Sequence, residues 1–327
     1  MIEVSAPMRL SLAGGGSDLP EHYERHGCRL LAVALTERVT VRVAAVPSRV
    51  TLRALGAVTS ADSARELSDP LVRATLEHFG VTRGIDIAVD SGVKPGSGLG
   101  GSGAFLVALT TAVSAFTGRS LEPPTAARIA FHIERERCGR PVGQQDHWAA
   151  ACGGAIELSI AKDGTAVARQ VPELGRAIAS MLDRELLLLR TPITRSAAVP
   201  LAAQAKALRG SSGMRQIQGL LDKFRAAFLA TDIARIGALL HEHWTAKRAI
   251  SSSMSTAEID RWYELVREHG AYGAKLVGAG GGGHLLVATE AGGADRIVAG
   301  LAPEGLVRVP IGTSDNGVTV SHSQEFV

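Results

Sequence analysis

Aromatic residues, cysteines and excess charge are all scarce in this chain, and each scarcity removes a class of function. Phe, Trp and Tyr make up 4% of its 327 residues, too few for the stacking platforms that hold single-stranded nucleic acid. The net charge of +3 is too weak for a nucleic-acid footprint, although it suits a small anionic substrate. Cys28, Cys138 and Cys152 are odd in number, far apart and outside any C-x-x-C. That argues against a disulfide framework and against a zinc site. No apolar run reaches membrane-spanning length, and MIEVSAPMRLSL carries no basic stretch followed by an apolar one, so a reducing cytoplasm is the expected setting. Gly-Lys-Ser/Thr is also missing, which excludes a Walker loop.

Glycine is plentiful instead: 37 residues, clustered rather than spread. Apolar residues at 46% and charged residues at 20% describe an ordinary globular protein. Strand-like alternation covers residues 2–13, 30–46 and 85–90, with VTLRAL (50–55) as a further strand. Helical patterns cover 68–79, 101–117 and 124–138. ELLLLRTPI (185–193) reads as a buried strand, 196–270 as mainly helical, and AKLVG and HLLVAT as late strands. A helix over 291–301 and a last strand at VTVSH complete the reading. Strands early, helices later and strands again at the end predict an α+β protein. The length allows two domains, placed at 1–180 and 181–327.

Three glycine clusters carry the chemistry. APMRLSLAGGGSDLP lies at 6–20, VKPGSGLGGSGA at 93–104 and GAKLVGAGGGGHLLV at 273–287. In the second, Gly96, Gly98 and Gly101 satisfy the dinucleotide pattern G-x-G-x-x-G, but the context fails. The loop sits ninety residues into the chain, and the acidic residue about twenty positions later, Glu122, lies in GRSLEPP, which cannot be a strand. The third cluster matches the same pattern, which shows how little that pattern says alone. Phosphate remains the best ligand for the second loop, because glycines let backbone N–H groups approach oxygens at the start of the following helix.

The three clusters, in this order, resemble the three motifs of the GHMP kinases. Ala-Pro-x-Arg precedes a glycine turn and Asp18. Pro95 to Gly103 resembles the phosphate loop, and the late Gly-Ala-Gly-Gly-Gly-Gly the third motif. AGGGSDLPEHY, GQQDHWAAACGG and EIDRWYELVREHGAYGAKLVGAGGGGHLLV resemble most the D-glycero-D-manno-heptose 7-phosphate kinase branch, with fucokinases close by. The resemblance implies a two-domain fold, with a ribosomal-S5-like N-terminal domain and a ferredoxin-like C-terminal domain. It implies an ATP-dependent, Mg²⁺-requiring kinase acting on the anomeric hydroxyl of a sugar or sugar phosphate. Neither nucleic acid nor membrane is expected as a partner, and a homodimer is left open.

By the same resemblance, Pro95, Gly96, Ser97, Gly98, Leu99, Gly100, Gly101, Ser102 and Gly103 hold the nucleotide. Ser102 and Glu134 ligate the metal. Asp146 takes the proton of the attacking hydroxyl, and Arg9 offsets developing charge. Gly15, Gly16, Ser17, Asp18, Asp146, Arg195, Gly280, Gly281 and Gly282 line the substrate. Glu134 precedes Asp146 by twelve residues, the interval of the galactokinase-like pattern. Glu136 competes for the role, but on a helix it points about 200° away. One departure is visible: Gly101 stands where the family usually has a first serine. Each residue also admits a structural role: helix cap for Ser102 and Asp146, charged helix face for Glu134, exposed strand residue for Arg9, turn residue for Asp18. Lys275 reads as a phosphate contact or an exposed strand lysine. His241 and His243 face apart on a helix and so should not chelate together. A non-catalytic sensor of the same fold should lack one of Arg9, Ser102, Glu134 or Asp146, and all four are present.

Overall fold

The computed structural model describes residues 1–92, 96–193, 213–251, 254–278 and 280–322. The protein is α+β, with two sheets. The strands are β1 (Ile2–Ala13), β2 (Cys28–Ala45), β3 (Val50–Ala54), β4 (Ala57–Ala61), β5 (Ile85–Ser91), β6 (Ala155–Ile160), β7 (Ala166–Gln170), β8 (Leu186–Arg190), β9 (Ala271–Leu276), β10 (His284–Thr289), β11 (Val307–Arg308) and β12 (Thr319–His322). The larger sheet runs β12-β1-β2-β5-β3-β4, with β6 and β7 attached beside β2. All its pairs are antiparallel except β3 with β5. The smaller sheet runs β11-β8-β10-β9 and is antiparallel throughout.

Strand β2 organises the larger sheet. Its first half, Cys28–Val33, pairs with β6, its second half, Val39–Ala45, with β5, and both halves pair with β1. The change of partner coincides with a register shift between Pro7 and Arg9. Pro7 has no N–H to give the ladder, and an irregularity of this kind re-aims neighbouring side chains. Arg9 sits just after the break, still paired with Ala34 of β2, while its N–H turns to Leu99 O at 2.9 Å. The signal for a site-facing arginine is therefore Ala-Pro-x-Arg itself: the register shifts after the proline, and the arginine two residues later resumes the pairing with its N–H bonded to the glycine loop.

The helices are α1 (Pro20–His26), α2 (Pro70–His78), α3 (Gly101–Phe116), α4 (Pro123–His132), α5 (Gln145–Cys152), α6 (Pro172–Met181), α7 (Gly213–Gly219), α8 (Leu221–Leu229), α9 (Ile233–Ile250), α10 (Ala257–Glu268) and α11 (Ala294–Leu301). Helix α3 is apolar almost all round because it lies across β1 and β2 with α4 and α5 on its other side. The LLLL run of β8 is buried on both faces. Leu186 and Leu188 join the main core with α8 and α9, while Leu187 and Leu189 meet α10 and α11. That explains a continuous apolar run in place of alternation. The expected strand at VTVSH forms and returns to the first sheet, where Val4 faces Val320. Helices α1 and α6 and strands β4 and β7 are not among the expected elements, although α6 buries Leu174, Ile178 and Met181 at helical spacing.

Candidate active site

The two halves of the site come from helix starts that touch. Helix α3 begins at Gly101 after Gly100, which is left-handed and supplies no side-chain cap. Its free N-terminal N–H groups thus face the glycine loop with nothing from Gly100 to occupy them. Helix α5 begins beside it. A Cβ on Gly103 would lie 2.5 Å from the Asp146 Cβ, so only glycine allows the two helices to approach this closely.

Arg9 and Asp146 meet at that junction. Arg9 Nε donates to Asp146 Oδ1 at 2.8 Å and Nη2 lies 2.7 Å from the same oxygen. Arg9 Nη1 also donates to Gly98 O at 2.5 Å. The guanidinium is 6% exposed while the carboxylate keeps 32%. The arginine is therefore not an exposed strand residue. Nor is Asp146 the cap of α5, because Gln144 holds that position. The carboxylate is anchored on one side and open on the other.

Ser102 and Glu134 meet a few residues away. Ser102 is exposed and donates to Glu134 Oε1 at 2.5 Å. Glu134 lies in a π-helical turn, Ile133–Arg137, that extends α4, a distortion common at functional sites. It is 1% exposed. Glu136 turns outward, 61% exposed, and pairs with His132 at 2.8 Å. Glu134 Oε2 faces His147 Nε2 at 2.9 Å inside the protein. Burial alone would raise the Glu134 pKa. The hydrogen bond and charge of His147, with Ser102 and Arg140, hold it below the usual carboxylate range.

A hard divalent cation suits this pair. Both are oxygen donors, one is anionic, and the hydroxyl is exposed. Among the described residues no group of three His, Cys, Asp or Glu could hold a metal. Two protein ligands are what Mg²⁺ typically takes when phosphates and waters complete its shell.

The third glycine cluster closes on the second. A Cβ on Gly98 would sit 2.6 Å from Val277 O, and one on Gly278 would sit 2.7 Å from the Gly98 Cα. Both glycines have positive φ, near 80°, so each loop requires the other to lack side chains. Gly281 N–H donates to Met254 O at 3.1 Å, a Cβ on Gly282 would meet Ile193 O at 2.7 Å, and His284 Nδ1 lies 2.7 Å from Ser97 O. Gly280 packs against Met254 as well.

The first cluster is turned inward more than its expected substrate role requires. Ser17 donates to Gly14 O at 2.7 Å and contacts Cys28 Sγ at 3.0 Å. Asp18 Oδ1 accepts from Gly16 N–H and Oδ2 from Gln145 N–H, at 3.0 and 2.9 Å. Burial raises the Asp18 pKa, with the Asp146 charge adding to it and the backbone N–H groups opposing. Gly15 is packed against Ser11 and Gln145. Asp18 thereby ties the first cluster to the start of α5.

Pro95, Arg195 and its neighbours Thr194 and Ser196 lie outside the described residues. Lys275 is neither exposed nor free: it is buried and donates to Leu12 O at 2.6 Å. His241 bonds the Tyr263 hydroxyl while His243 is buried near Phe224, so the two do face apart. Sequence reasoning missed Arg140, His147 and Lys247. Lys247 is buried in α9 and donates to Gly278 O at 2.5 Å. Burial, with the Arg9 charge adding and Asp18 opposing, pushes its pKa down to about 8. His147 could have been suspected as the neighbour of Asp146. No local pattern marks the other two.

The family model for the GHMP kinases N terminal domain matches residues 67–154, and that for GHMP kinases C terminal matches 224–306. The chain belongs to the GHMP kinases. These kinases transfer phosphate to an alcohol. The chain is similar to D-glycero-alpha-D-manno-heptose 7-phosphate kinase of Campylobacter jejuni, 31% identical over 200 residues, which are 60% of this chain and 58% of that one. It is 27% identical to galactokinase of Mycobacterium tuberculosis over 233 residues, 63% of this chain and 64% of that one. The matched stretches thus span less than two thirds of either relative. In fold, it is similar to a D-glycero-D-manno-heptose 1-phosphate kinase from Bacteroides thetaiotaomicron, with a TM-score of 0.82 and 21% identity, covering 99% of this chain and 100% of that one. The expected two-domain GHMP kinase fold is therefore the fold of this protein.

The departure at Gly101 is sterically open. The nearest atom to a Cβ there is Met8 Cε at 3.6 Å, an ordinary contact. Gly101→Ser should fold normally and gain roughly 0.5 kcal/mol, since serine is the better helix residue. A thermal melt checks this, and a fall of several degrees would show that the close fit around α3 extends to Gly101.

Proposed function

We propose that this protein is an ATP-dependent kinase of the anomeric hydroxyl of a sugar phosphate, with D-glycero-D-manno-heptose 7-phosphate going to the 1,7-bisphosphate. The supporting observation is the Asp146 carboxylate, one third exposed, held by Arg9 next to the uncapped start of α3 and the Ser102–Glu134 pair. The sugar hydroxyl approaches the open side of Asp146. Its oxygen bonds the γ-phosphorus of ATP as the bond to the β-bridging oxygen breaks, its proton passes to the carboxylate, and ADP leaves. Arg9 fixes the carboxylate and offsets charge that builds on the phosphoryl group. Bound Mg²⁺, held by Ser102 and Glu134, would supply charge neutralisation on the phosphate oxygens. The heptose phosphate is favoured over other alcohols by the similarity to the Campylobacter jejuni kinase.

A fucokinase-like kinase of a neutral sugar is the second reading, favoured by the similarity to galactokinase. No helix among the described residues is long and apolar enough to cross a membrane, and a cytoplasmic setting is part of the same proposal. The test is a panel of sugars and sugar phosphates with Mg-ATP, followed by ADP release and product mass. The expected result is conversion of the heptose 7-phosphate to a bisphosphate. Strong preference for an unphosphorylated sugar would overturn the first reading in favour of the second.

A further inference from the structure

Arg140 has no part in the chemistry above, yet its guanidinium lies at the centre of it. Nη1 is 3.5 Å from Ser102 Oγ and 3.5 Å from Glu134 Oε1. Its backbone is fixed: Arg140 N–H donates to Glu134 O at 3.1 Å, and Arg140 O accepts from Val142 N–H at 2.9 Å. Its side chain is not, being 40% exposed and held here by two long contacts. A rigid base with a loosely held charged tip can change partners without refolding.

The two oxygens that Arg140 contacts, one of them the Glu134 carboxylate it neutralises, are the two assigned to the metal. A divalent cation and a guanidinium cannot both sit against Glu134 Oε1 without strong repulsion. The buried side of Glu134 is closed by His147, so the carboxylate cannot turn away to serve each cation with a different oxygen. When a metal takes Oε1, the guanidinium must leave. The adjacent anion is then the phosphate chain over the α3 start, and a planar fork of N–H donors suits phosphate oxygens.

We propose that Arg140 contacts substrate: it is the counter-cation of the Ser102–Glu134 pair in the free protein and moves to the transferred phosphoryl group when a divalent cation binds. It is a catalytic residue that complements Arg9: Arg9 is held at Gly98 and Asp146, Arg140 at Ser102 and Glu134. This rests on the reading of Ser102 and Glu134 as metal ligands.

Binding separates the possibilities. Calorimetry with ATP and ADP, in Mg²⁺ and with metal chelated, is run on wild type, R140Q and R140K. R140Q should weaken ATP about 10- to 100-fold in Mg²⁺ and leave ADP within about twofold, because only ATP carries the contacted group. R140K should fall between. With nucleotide absent, Mn²⁺ titration followed by paramagnetic resonance should show tighter binding to R140Q than to wild type, since the competing cation is gone. A structural role predicts the opposite pattern: ATP and ADP weakened together, with a lower melting temperature. That pattern, or unchanged ATP affinity, overturns the proposal, as does equal Mn²⁺ binding. If Ser102→Ala and Glu134→Gln leave the metal requirement untouched, the metal reading fails separately, and the ATP-against-ADP contrast still reports on Arg140.

Discussion

Asp146→Asn should cut turnover by roughly 10²- to 10⁴-fold, the range lost when a positioned general base is removed. Asparagine is the right replacement because shape must be kept. The Asp146 Cβ lies where a Cβ on Gly103 would collide, and Arg9 needs an acceptor for its Nε and Nη2. The amide oxygen can still accept from Arg9, so the helix junction survives, but the group can no longer take a proton. ATP affinity should change little, because Asp146 stands beside the phosphate loop and is not part of it. Turnover measured by ADP release and affinity measured by calorimetry separate the two effects. A variant with turnover within tenfold of wild type would remove Asp146 from the proton path and leave Arg9–Asp146 as a structural ion pair. Exposure supports the catalytic expectation: a purely structural pair would gain nothing from leaving one partner a third open while its mate is buried.

Much of this site was legible because its parts are local. Ala-Pro-x-Arg carries its own sheet break, the second cluster carries its own loop and helix start, and the twelve-residue step from Glu134 to Asp146 spans one helix end and one turn. Helical geometry said only that Glu134 and Glu136 face apart, and the twelve-residue interval of the resemblance chose between them; in the π-helical turn the two still differ, Glu134 buried and Glu136 exposed. Roles set by distant packing were not legible. Lys275 sits in a strand that alternation would place at a surface, but α9 covers that strand, and the lysine reaches Leu12 O in the other sheet. Lys247 supports Gly278 from a helix thirty-one positions away. The resemblance assigned Ser17 and Asp18 to the substrate, with a turn residue as the other reading of Asp18. Here the turn is inside the protein, and its own backbone and the start of α5 claim them. Strands β4 and β7 escaped because edge strands with exposed faces lose the alternation that marks a buried one.

Glu134→Ala should produce two losses that can be told apart by their companions. The first is stability. Removing a buried carboxylate leaves a cavity and strips His147 Nε2 of its partner, while His147 Nδ1 already has none among the described residues. The expected cost is about 2–4 kcal/mol. The second is metal. The Mg²⁺ concentration that half-saturates turnover should rise at least roughly tenfold. Ser102→Ala isolates the second effect, since an exposed hydroxyl can be removed without opening a cavity, so its Mg²⁺ requirement should rise with little change in melting temperature. Glu136→Ala should do neither, because its carboxylate is outside and, among the described residues, pairs with His132. Acid gives a further check. Glu134 has a folded pKa below its ordinary 4.5, so its contribution to stability is complete above about 4.5 and disappears as pH falls through the lower folded value. Glu134→Gln should therefore flatten the acid limb of the stability curve, while wild type and Glu136→Ala keep it. A metal defect in Glu136→Ala but not in Glu134→Ala would move the ligand to the other face of the turn. Unchanged Mg²⁺ dependence in both Glu134→Ala and Ser102→Ala would leave the pair as a helix clamp, with His147 as its reason for being buried.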